Sequence, residues 1–257
     1  MSTFLFHDCI YGPVHSRRLG NSLGINLLPT EKKYCNFNCI YCECGANTPG
    51  KTGRLPEASF VADSLAECLR VSKNNGVKIN SITFAGNGEP TLHPKFSEIL
   101  KAVKEARDLY CPEAKISVLS NATRISDDAI VEALKNADNR ILKLDSAVDG
   151  TVKAIDRPAG NYSVEKTVEL LKRFGGKFIL QTMFLSGEVD GKQICNLTDT
   201  EINAWLEVVK ELRPEQVMIY TIARDTPEKN LQKASHEDLE KIRRKVEALG
   251  VKISVSE

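Results

Sequence analysis

The chain alternates between two hydrophobic patterns, short apolar runs and rows of apolar residues spaced three or four positions apart. A run bounded by Gly, Pro or polar residues is typical of a buried strand, whereas helical spacing predicts an amphipathic helix. A seventh, edge strand is a candidate at 251–255. The runs predict six main strands, at 23–28, 79–86, 115–120, 140–146, 177–185 and 216–222.

Amphipathic helices are predicted between successive strands. One of them begins at a capping box formed by Thr198 and Glu201, and the last begins at a second box, Ser235 with Asp238. The helix after the third strand is expected to open at Ser126. The apolar row of the first helix contains Phe60, Val61, Leu65, Cys68 and Leu69.

The alternation of strands and helices decides the fold class. Strands separated by helices and short turns imply parallel pairing with right-handed crossovers. We therefore predict an α/β fold, a partial (β/α)6 barrel of parallel strands. Residues 1–22 and 147–162 show neither pattern and are expected to be irregular. The expected division is an N-terminal cover at 1–22, the barrel at 23–222 and a helix–strand extension packed on it at 223–257.

Composition and charge narrow the class further. Hydrophobic residues make up 42% of the 257 residues and charged residues 27%, so we expect a sizeable core. A formal net charge of +1 provides no strong electrostatic footprint for nucleic acid or a membrane. No apolar run approaches the roughly 18 residues of a membrane helix. With eight cysteines and no signal-peptide pattern, we expect reduced thiols and a cytoplasmic location.

Three cysteines share one short loop, YCNFNCIYCECG at 34–45. Cys35, Cys39 and Cys42 have the spacing C-x3-C-x2-C, which can turn three thiolates toward one iron–sulfur cluster. Three ligands leave one iron of a cubane cluster open to a small molecule. A structural zinc site and ordinary free thiols remain alternatives, although zinc usually takes four ligands in closely spaced pairs.

Polar residues recur where the predicted strands end, and in a parallel sheet those ends meet at one edge. The turn GNGEP at 86–90 follows the second strand, where glycines allow close approach to a ligand and Glu89 can accept from an ammonium group. A tight strand–helix turn is the alternative. Lys143 and Asp145 share a face of the fourth strand. Because a buried lysine needs a partner, we expect it to pair with Glu89 or another carboxylate.

The cysteine loop, with Tyr41 directly before its third cysteine, resembles the radical S-adenosylmethionine (radical SAM) superfamily. The GNGEP turn is similar to the Gly-Gly-Glu-Pro motif of that superfamily, although Asn87 stands where a glycine is common. The string from Gly12 to Gly45 resembles a narrower branch, the short wyosine-synthase-related proteins. The resemblance implies one [4Fe-4S] cluster, held by Cys35, Cys39 and Cys42.

The resemblance also implies a site for S-adenosylmethionine (SAM). The region of Tyr41 is expected to contact adenine. Ser120 and Asn121, at the end of the third strand, resemble positions that bind SAM, and a helix-start signal is an equal alternative for them. Gln181 or Thr182 is expected to face the barrel interior. The predicted cofactor-binding residues are Tyr41, Asn87, Gly88, Glu89, Ser120, Asn121, Lys143, Asp145 and Gln181.

The implied activity is reductive cleavage of SAM to a 5′-deoxyadenosyl radical, which abstracts hydrogen from a substrate. We expect that substrate to be a small molecule or a peptide. Wyosine-type modification of a tRNA base is one alternative, and a non-catalytic electron-transfer or structural metal protein is another. The expected partners are SAM and a reducing protein such as flavodoxin or ferredoxin, with tRNA as a further candidate. No residue is assigned a catalytic role.

The other reactive side chains are expected to play ordinary roles. Cys68, on an apolar helix face, is expected to be a buried and inert thiol. A second cluster is not expected, because clusters need several cysteines close together. Surface ion pairs are the preferred interpretation, over gripping a substrate anion, for Arg17, Arg18, Arg157 and Arg224. An approach of Cys44 or Cys195 to the site is an alternative, but unremarkable thiols are expected at Cys9, Cys44, Cys111 and Cys195.

Overall fold

The computed structural model describes residues 4–16, 19–48 and 53–257 and contains two sheets. The strands of the main sheet are β1 (Ile10–Ser16), β2 (Gly20–Ile25), β3 (Ser81–Phe84), β4 (Lys115–Ser120), β5 (Asn139–Lys143), β6 (Ile179–Met183), β9 (Gln216–Tyr220) and β11 (Ile253–Ser256). A smaller antiparallel sheet is formed by β7 (Leu185–Val189), β8 (Lys192–Cys195) and β10 (Leu231–Lys233).

The main sheet has the order β1-β2-β3-β4-β5-β6-β9-β11. Every neighbouring pair from β2 to β11 is parallel, and only β1 runs antiparallel, beside β2. The sheet curls into a half-barrel. The predicted partial barrel of parallel strands is therefore confirmed, and β11 is the edge strand expected at 251–255.

Helices cover the outer face of the sheet. Phe84 of β3 points outward and meets the ring of Phe96 edge-on, with ring centroids 5.7 Å apart. The rings of Trp205 and Phe184 also meet edge-on, with centroids 5.4 Å apart. The helices are α1 (Ala58–Asn74), α2 (Phe96–Tyr110), α3 (Asp128–Lys135), α4 (Asp149–Ile155), α5 (Val164–Leu171), α6 (Asp199–Leu212) and α7 (His236–Ala248). Within the described ranges, none of them has the length and apolar character that crossing a bilayer requires.

Two details of the predicted helices are wrong. Phe60 was placed on the inward face of α1 but is 57% exposed, because the buried stripe runs through Val61 and its neighbours one turn on. Helix α3 does not open at Ser126. Its N-cap is Asp127, whose carboxylate accepts a hydrogen bond from the Ala129 N–H at 3.0 Å.

The two predicted capping boxes differ in outcome. The box at the start of α7 is complete. At the start of α6 only half of it forms, since the Thr198 hydroxyl accepts from the Glu201 N–H at 3.3 Å. The Glu201 carboxylate instead accepts from the hydroxyls of Ser146, at 2.5 Å, and Thr151, at 2.6 Å. That side chain therefore ties α6 to the segment before and within α4.

Both segments predicted to be irregular contain regular structure. Residues 1–22 include β1 and the start of β2, and 147–162 includes α4. The pattern missed β1 because it is a largely exposed edge strand interrupted by Gly12 and Pro13. Helix α4 has seven residues, too few to show a helical period. The predicted strand 177–185 is divided between β6 and β7, and Arg17 and Arg18 lie outside the described residues.

The inner face of the sheet changes character along the barrel. Ile141, Ile179 and Met218 form a buried apolar cluster in its middle. One inward-facing position beyond Ile141 and Ile179, toward the carboxyl ends of the strands, Lys143 of β5 stands beside Gln181 of β6, which in turn pairs with Met218 of β9. Side chains that carry charge and hydrogen-bonding groups thus collect at the carboxyl edge, where the cysteine loop also lies.

Candidate functional site

The cysteine loop is held between two neighbouring segments by backbone hydrogen bonds. On one side Tyr34 forms a parallel bridge with Gly88, in which its N–H donates to the Asn87 carbonyl at 2.7 Å. On the other side Phe37 bridges Pro158, and the Ile40 N–H donates to the Ile155 carbonyl at 2.9 Å. The loop conformation is therefore set by the glycine turn and by the segment after α4.

Gly88 allows the glycine turn to approach the loop. Its φ is +143°, and a Cβ placed on it would lie 1.9 Å from the Tyr34 carbonyl oxygen. Any side chain would therefore prevent the bridge between the turn and the loop. The sequence reasoning expected this glycine to make room for a ligand, and it also makes room for the cluster loop itself.

The loop and the strand ends enclose one cavity of about 300 Å³. All three cysteines of the predicted cluster site line it. So do seven of the nine predicted cofactor-binding residues. Together, the predicted site residues that line the cavity are Cys35, Cys39, Tyr41, Cys42, Gly88, Glu89, Ser120, Asn121, Lys143 and Gln181. The structure thus brings together residues that are separated by up to about 150 positions in the chain, from Cys35 to Gln181.

The three thiols have different surroundings. Cys35 accepts hydrogen bonds from the Phe37 N–H at 3.4 Å and from the Asn121 amide at 3.6 Å, but burial raises its pKa to about 12. Cys39 donates to the Asp156 carboxylate at 3.1 Å, and burial holds the pKa of its thiol well above the usual value.

Cys42 is the most acidic of the three. The neighbouring Cys44 thiol and the positive charge of Lys33 lower the pKa of Cys42 despite its burial. Thiolate is the form that binds metal. The Cys42 thiol therefore deprotonates more readily than the thiols of Cys35 and Cys39.

The donor set fits an iron–sulfur cluster. In the described part of the chain, no three His, Cys, Asp or Glu side chains stand close enough to share one metal ion. A cubane cluster makes a different demand, since each thiolate binds a different iron atom. Cys35, Cys39 and Cys42 around a cavity with room for a further ligand have the donor chemistry and the arrangement that such a cluster requires.

Glu89 forms one side of the cavity and is held by neutral donors. Its Oε1 accepts from the Thr91 hydroxyl at 2.6 Å and the Ser120 hydroxyl at 2.9 Å, and its Oε2 accepts from the Asn121 N–H at 2.6 Å. Burial raises the pKa of Glu89, although these hydrogen bonds oppose the shift. The predicted strand-end residues Ser120 and Asn121 therefore orient this carboxylate directly.

Lys143 forms the opposite side together with two carboxylates. Its ammonium lies 2.7 Å from Asp145 and 3.5 Å from Asp156, and 4.5 Å from the centre of the Tyr41 ring. Asp145 also accepts from the Tyr41 hydroxyl and from the Met183 N–H. Burial disfavours the charged lysine, but Asp145 holds the pKa of Lys143 well above its usual range.

The structure decides between the two expected partners of Lys143. The predicted pair with Glu89 is wrong, because the ammonium of Lys143 lies against Asp145 and Asp156 instead. The alternative, another carboxylate, is confirmed in Asp145. Asp145 itself is buried outside the cavity lining and orients Tyr41 and Lys143.

Asn87 also lies outside the lining. Its side-chain amide donates to the carbonyls of Phe6, at 2.9 Å, and Pro29, at 2.8 Å, and its oxygen accepts from the Phe6 N–H at 2.8 Å. The residue that departs from the usual glycine motif therefore holds the N-terminal segment. A direct contact with SAM was predicted for it, and the structure places its side chain elsewhere.

Sequence reasoning missed three residues of the site, Lys33, Cys44 and Asp156. Lys33 is 4% exposed, lines the cavity and donates to the Gly45 carbonyl at 3.0 Å. Cys44 was expected to be unremarkable but lines the same cavity. Burial, and then the charge of Asp145, raise the pKa of Asp156 to about 8. Its place between Arg157 and the end of α4 offered no pattern that could have assigned it.

The remaining predictions concern surface arginines and thiols. Arg157 pairs with Glu228 at 2.9 Å and Arg224 pairs with Glu43 at 2.6 Å, so both form the expected ion pairs. Cys195 lies on β8, where its sulfur accepts from the Leu197 N–H at 3.4 Å. Burial raises the pKa of Cys9 to about 11, and Cys68 packs at the edge of the core.

Comparison with known proteins identifies relatives across the barrel. The family model of the radical SAM superfamily matches residues 33–197. A protein named "UPF0026 protein MJ1312", from Methanocaldococcus jannaschii, is 33% identical over 90% of this chain and 69% of its own length. A protein named "GTPase Obg", from Brachyspira hyodysenteriae, is 30% identical over 93% of this chain. The chain spans 33% of the length of that second relative.

Solved structures share the fold at low sequence identity. A radical SAM methyltransferase from Sphaerobacter thermophilus gives a TM-score of 0.68 at 14% identity, over 91% of this chain and 65% of that one. A structure of TYW1 with a lysine–pyruvate adduct bound gives a TM-score of 0.61 at 15% identity, over 88% of this chain and 73% of that one.

Family and site agree. The match at 33–197 contains all three cluster cysteines and every predicted cofactor-binding residue. Proteins of this family use a [4Fe-4S] cluster and SAM, so the two predicted cofactors are confirmed as those of the family. The chain belongs to the radical SAM superfamily.

Proposed function

We propose that this protein is a radical SAM enzyme that cleaves SAM reductively and abstracts hydrogen from a small-molecule or peptide substrate. The observation that carries the proposal is the convergence of three cysteines and the Glu89 carboxylate on one cavity. When bound, the cluster supplies the electron that splits SAM into methionine and a 5′-deoxyadenosyl radical. Cys35, Cys39 and Cys42 would hold it, and a flavodoxin or ferredoxin would reduce it.

The residues around the cavity suit a ligand with positive charge. SAM carries a sulfonium and an ammonium group. Glu89 lines the cavity with a carboxylate that is held only by neutral donors. The two lysines of the lining already have partners, Lys33 in the Gly45 carbonyl and Lys143 in Asp145 and Asp156. Opposite charges attract strongly where water is excluded. Glu89 would therefore receive the ammonium of the methionine part, while Tyr41 and Gln181 shape the wall for the remainder.

Wyosine-type modification of tRNA is the second candidate function. The fold likeness to TYW1 and the N-terminal string favour it. The formal net charge of +1 favours the small molecule or peptide, since proteins that grip many phosphates usually show a basic surface. Retention of tRNA during purification, and its release by salt, would distinguish the two candidates.

The test is an anaerobic assay for 5′-deoxyadenosine. The cluster is reconstituted, reduced with dithionite and mixed with SAM, and the product is measured by mass spectrometry. We expect 5′-deoxyadenosine from the wild type and none from Cys39→Ala, whereas Cys195→Ala, a change on β8, keeps the activity. A wild-type protein that binds only zinc, or whose product formation survives Cys39→Ala, would contradict the proposal.

A further inference from the structure

A second cavity, of about 520 Å³, adjoins the cofactor cavity inside the half-barrel. We call it the inner chamber. The two cavities share the wall formed by Glu43, Cys44, Ala85, Gly86 and Leu119. A ligand in the inner chamber would therefore be a direct neighbour of whatever occupies the cofactor cavity.

Aromatic rings form one wall of the inner chamber. Tyr11 of β1 lies over Gly24 of β2, where a Cβ would come within 2.0 Å of the tyrosine ring. Phe6 stacks on Tyr11, with ring centroids 3.7 Å apart and ring planes 21° apart. The ring of Phe4 meets the ring of Phe6 edge-on, with centroids 5.0 Å apart. The absence of a side chain at Gly24 is what lets this column of rings lie on the inner face of the sheet.

The aromatic wall is fastened to the cofactor site. Asn87 of the glycine turn exchanges two hydrogen bonds with the backbone of Phe6, and the Phe4 N–H donates to the Glu43 carbonyl at 3.0 Å. The Tyr11 hydroxyl donates to the Ala85 carbonyl at 3.0 Å. The rings are thus held at a set position relative to the cluster loop, as a substrate-binding wall must be.

Among the residues that the structure describes, the inner chamber offers aromatic rings, hydroxyl groups, the His15 imidazole and one ion pair. Glu43 and Arg224, two charged residues of the lining, pair with each other at 2.6 Å. Ser22 and Thr83 lie deeper, with their hydroxyl oxygens 2.7 Å apart. A charged ligand would find no unmatched partner in that pair, whereas an uncharged ring meets aromatic surface on one side and hydrogen-bonding groups on another.

We infer that the inner chamber is the substrate site and takes a small molecule with an uncharged, planar aromatic ring. This inference rests on the proposed function, because it assigns the substrate of that reaction. The volume lies within the roughly 300–1,000 Å³ of ligand pockets. Rings favour aromatic walls through edge-to-face and offset-stacked contacts, beyond what burial of their area supplies. The shared wall at Cys44 and Gly86 places the ring beside the cofactor cavity.

The test compares matched fragments by saturation-transfer NMR on the reconstituted protein saturated with SAM. Benzyl alcohol is paired with cyclohexylmethanol, and phenol with cyclohexanol, so each pair differs mainly in aromaticity. We expect the aromatic member of each pair to bind about twofold to tenfold more tightly. Equal binding within the pairs, or binding of no fragment at all, would overturn the inference.

Two variants locate the binding. Phe6→Leu removes the middle ring of the wall and should lower the ratio within each pair, while Phe60→Leu, a change at an exposed position on α1, leaves it unchanged. A ratio that survives Phe6→Leu would also overturn the inference. The comparison within the wild type does not depend on how well the variant folds. Formation of 5′-deoxyadenosine is measured separately, so failure of the substrate assignment is distinguishable from failure of the proposed function.

Discussion

Each end of the barrel buries a cation beside two carboxylates, and the two ends differ in how much water reaches those carboxylates. At the amino ends of the strands, Arg107 contacts Asp138 at 2.9 Å, Asp108 at 2.6 Å and the Ala114 carbonyl at 2.8 Å. Both of these carboxylates keep contact with water, since their side chains are 32% and 57% exposed. At the carboxyl ends, Lys143 serves two carboxylates that are almost completely buried.

Each cation faces two carboxylates, and the two ends differ in how far water reaches those carboxylates. Burial opposes ionisation of Asp138, but hydrogen bonds from the Ile116 N–H and from Arg107 lower its pKa. The pKa of Asp156 shifts in the opposite direction, upward, through burial and the neighbouring Asp145. Burying two carboxylates around one lysine is costly for stability. The contrast in burial therefore points to a binding role for the carboxyl end.

The largest expected difference between the ends comes from their glycines. Gly88→Ala places a Cβ 1.9 Å from the Tyr34 carbonyl at a φ of +143°, so we expect a loss of about 5 kcal/mol of unfolding free energy and of most cluster binding. Gly76→Ala is the control at the amino end. Its φ is also positive, +66°, but its Cβ would meet nothing within 4 Å. We therefore expect Gly76→Ala to lower the free energy of unfolding by only about 1 kcal/mol.

Iron and sulfide analysis after reconstitution, with urea unfolding, measures both effects of the glycine changes. A Gly88→Ala protein that takes up a full cluster would show that the bridge between the turn and the loop is dispensable.

A smaller effect is expected from removing each cation. Lys143→Met leaves Asp145 and Asp156 buried and facing each other, which should lower the free energy of unfolding by about 3–5 kcal/mol. Arg107→Met leaves carboxylates that water can reach. We therefore expect it to lower the free energy of unfolding by about 2 kcal/mol. Urea unfolding of both variants without cluster, under reducing conditions, gives the comparison. An equal or larger loss in Arg107→Met would contradict the difference drawn between the ends.

The smallest expected effect is on the pH dependence of stability. The pKa of Asp138 is lowered by folding, so its contribution is present above its ordinary value of 3.8 and is lost as the pH falls through the folded-state value. We therefore expect Asp138→Asn to be less stable than the wild type near neutral pH, and the two unfolding curves to converge in acid. Urea unfolding at a series of pH values measures this. A stability difference that grows on acidification would show that folding does not lower the pKa of Asp138.

Local patterns predicted the parts of the fold that have clear ends. Strand β4, Lys115–Ser120, was predicted with its exact bounds because polar residues flank a continuous apolar run. Strands β1, β8 and β10 were missed because they are short or largely exposed edge strands, and α4 has too few residues for a period. The prediction merged the start of β7 with β6, because only the apolar Phe184 separates the two strands.

The candidate site divides in the same way. Cys35, Cys39, Cys42 and Glu89 stand in compact motifs whose spacing indicates chemistry. Asp156 reaches Cys39 across 117 positions, and nothing near it in the chain indicates that contact. Asn87 shows the converse, since its motif indicated a ligand contact but its hydrogen bonds go to Phe6 and Pro29. Motifs identify the chemistry, and tertiary contacts decide what each side chain does.

The central claim, that one cavity holds the cluster and SAM together, is tested most directly by electron paramagnetic resonance. The reduced cluster is titrated with SAM in the wild type, in Glu89→Gln and in Glu201→Gln, whose carboxylate bonds to Ser146 and Thr151 away from the cavity. We predict that SAM changes the wild-type spectrum, that Glu89→Gln needs about tenfold more SAM, and that Glu201→Gln behaves like the wild type. A wild-type cluster whose spectrum does not respond to SAM would contradict the account.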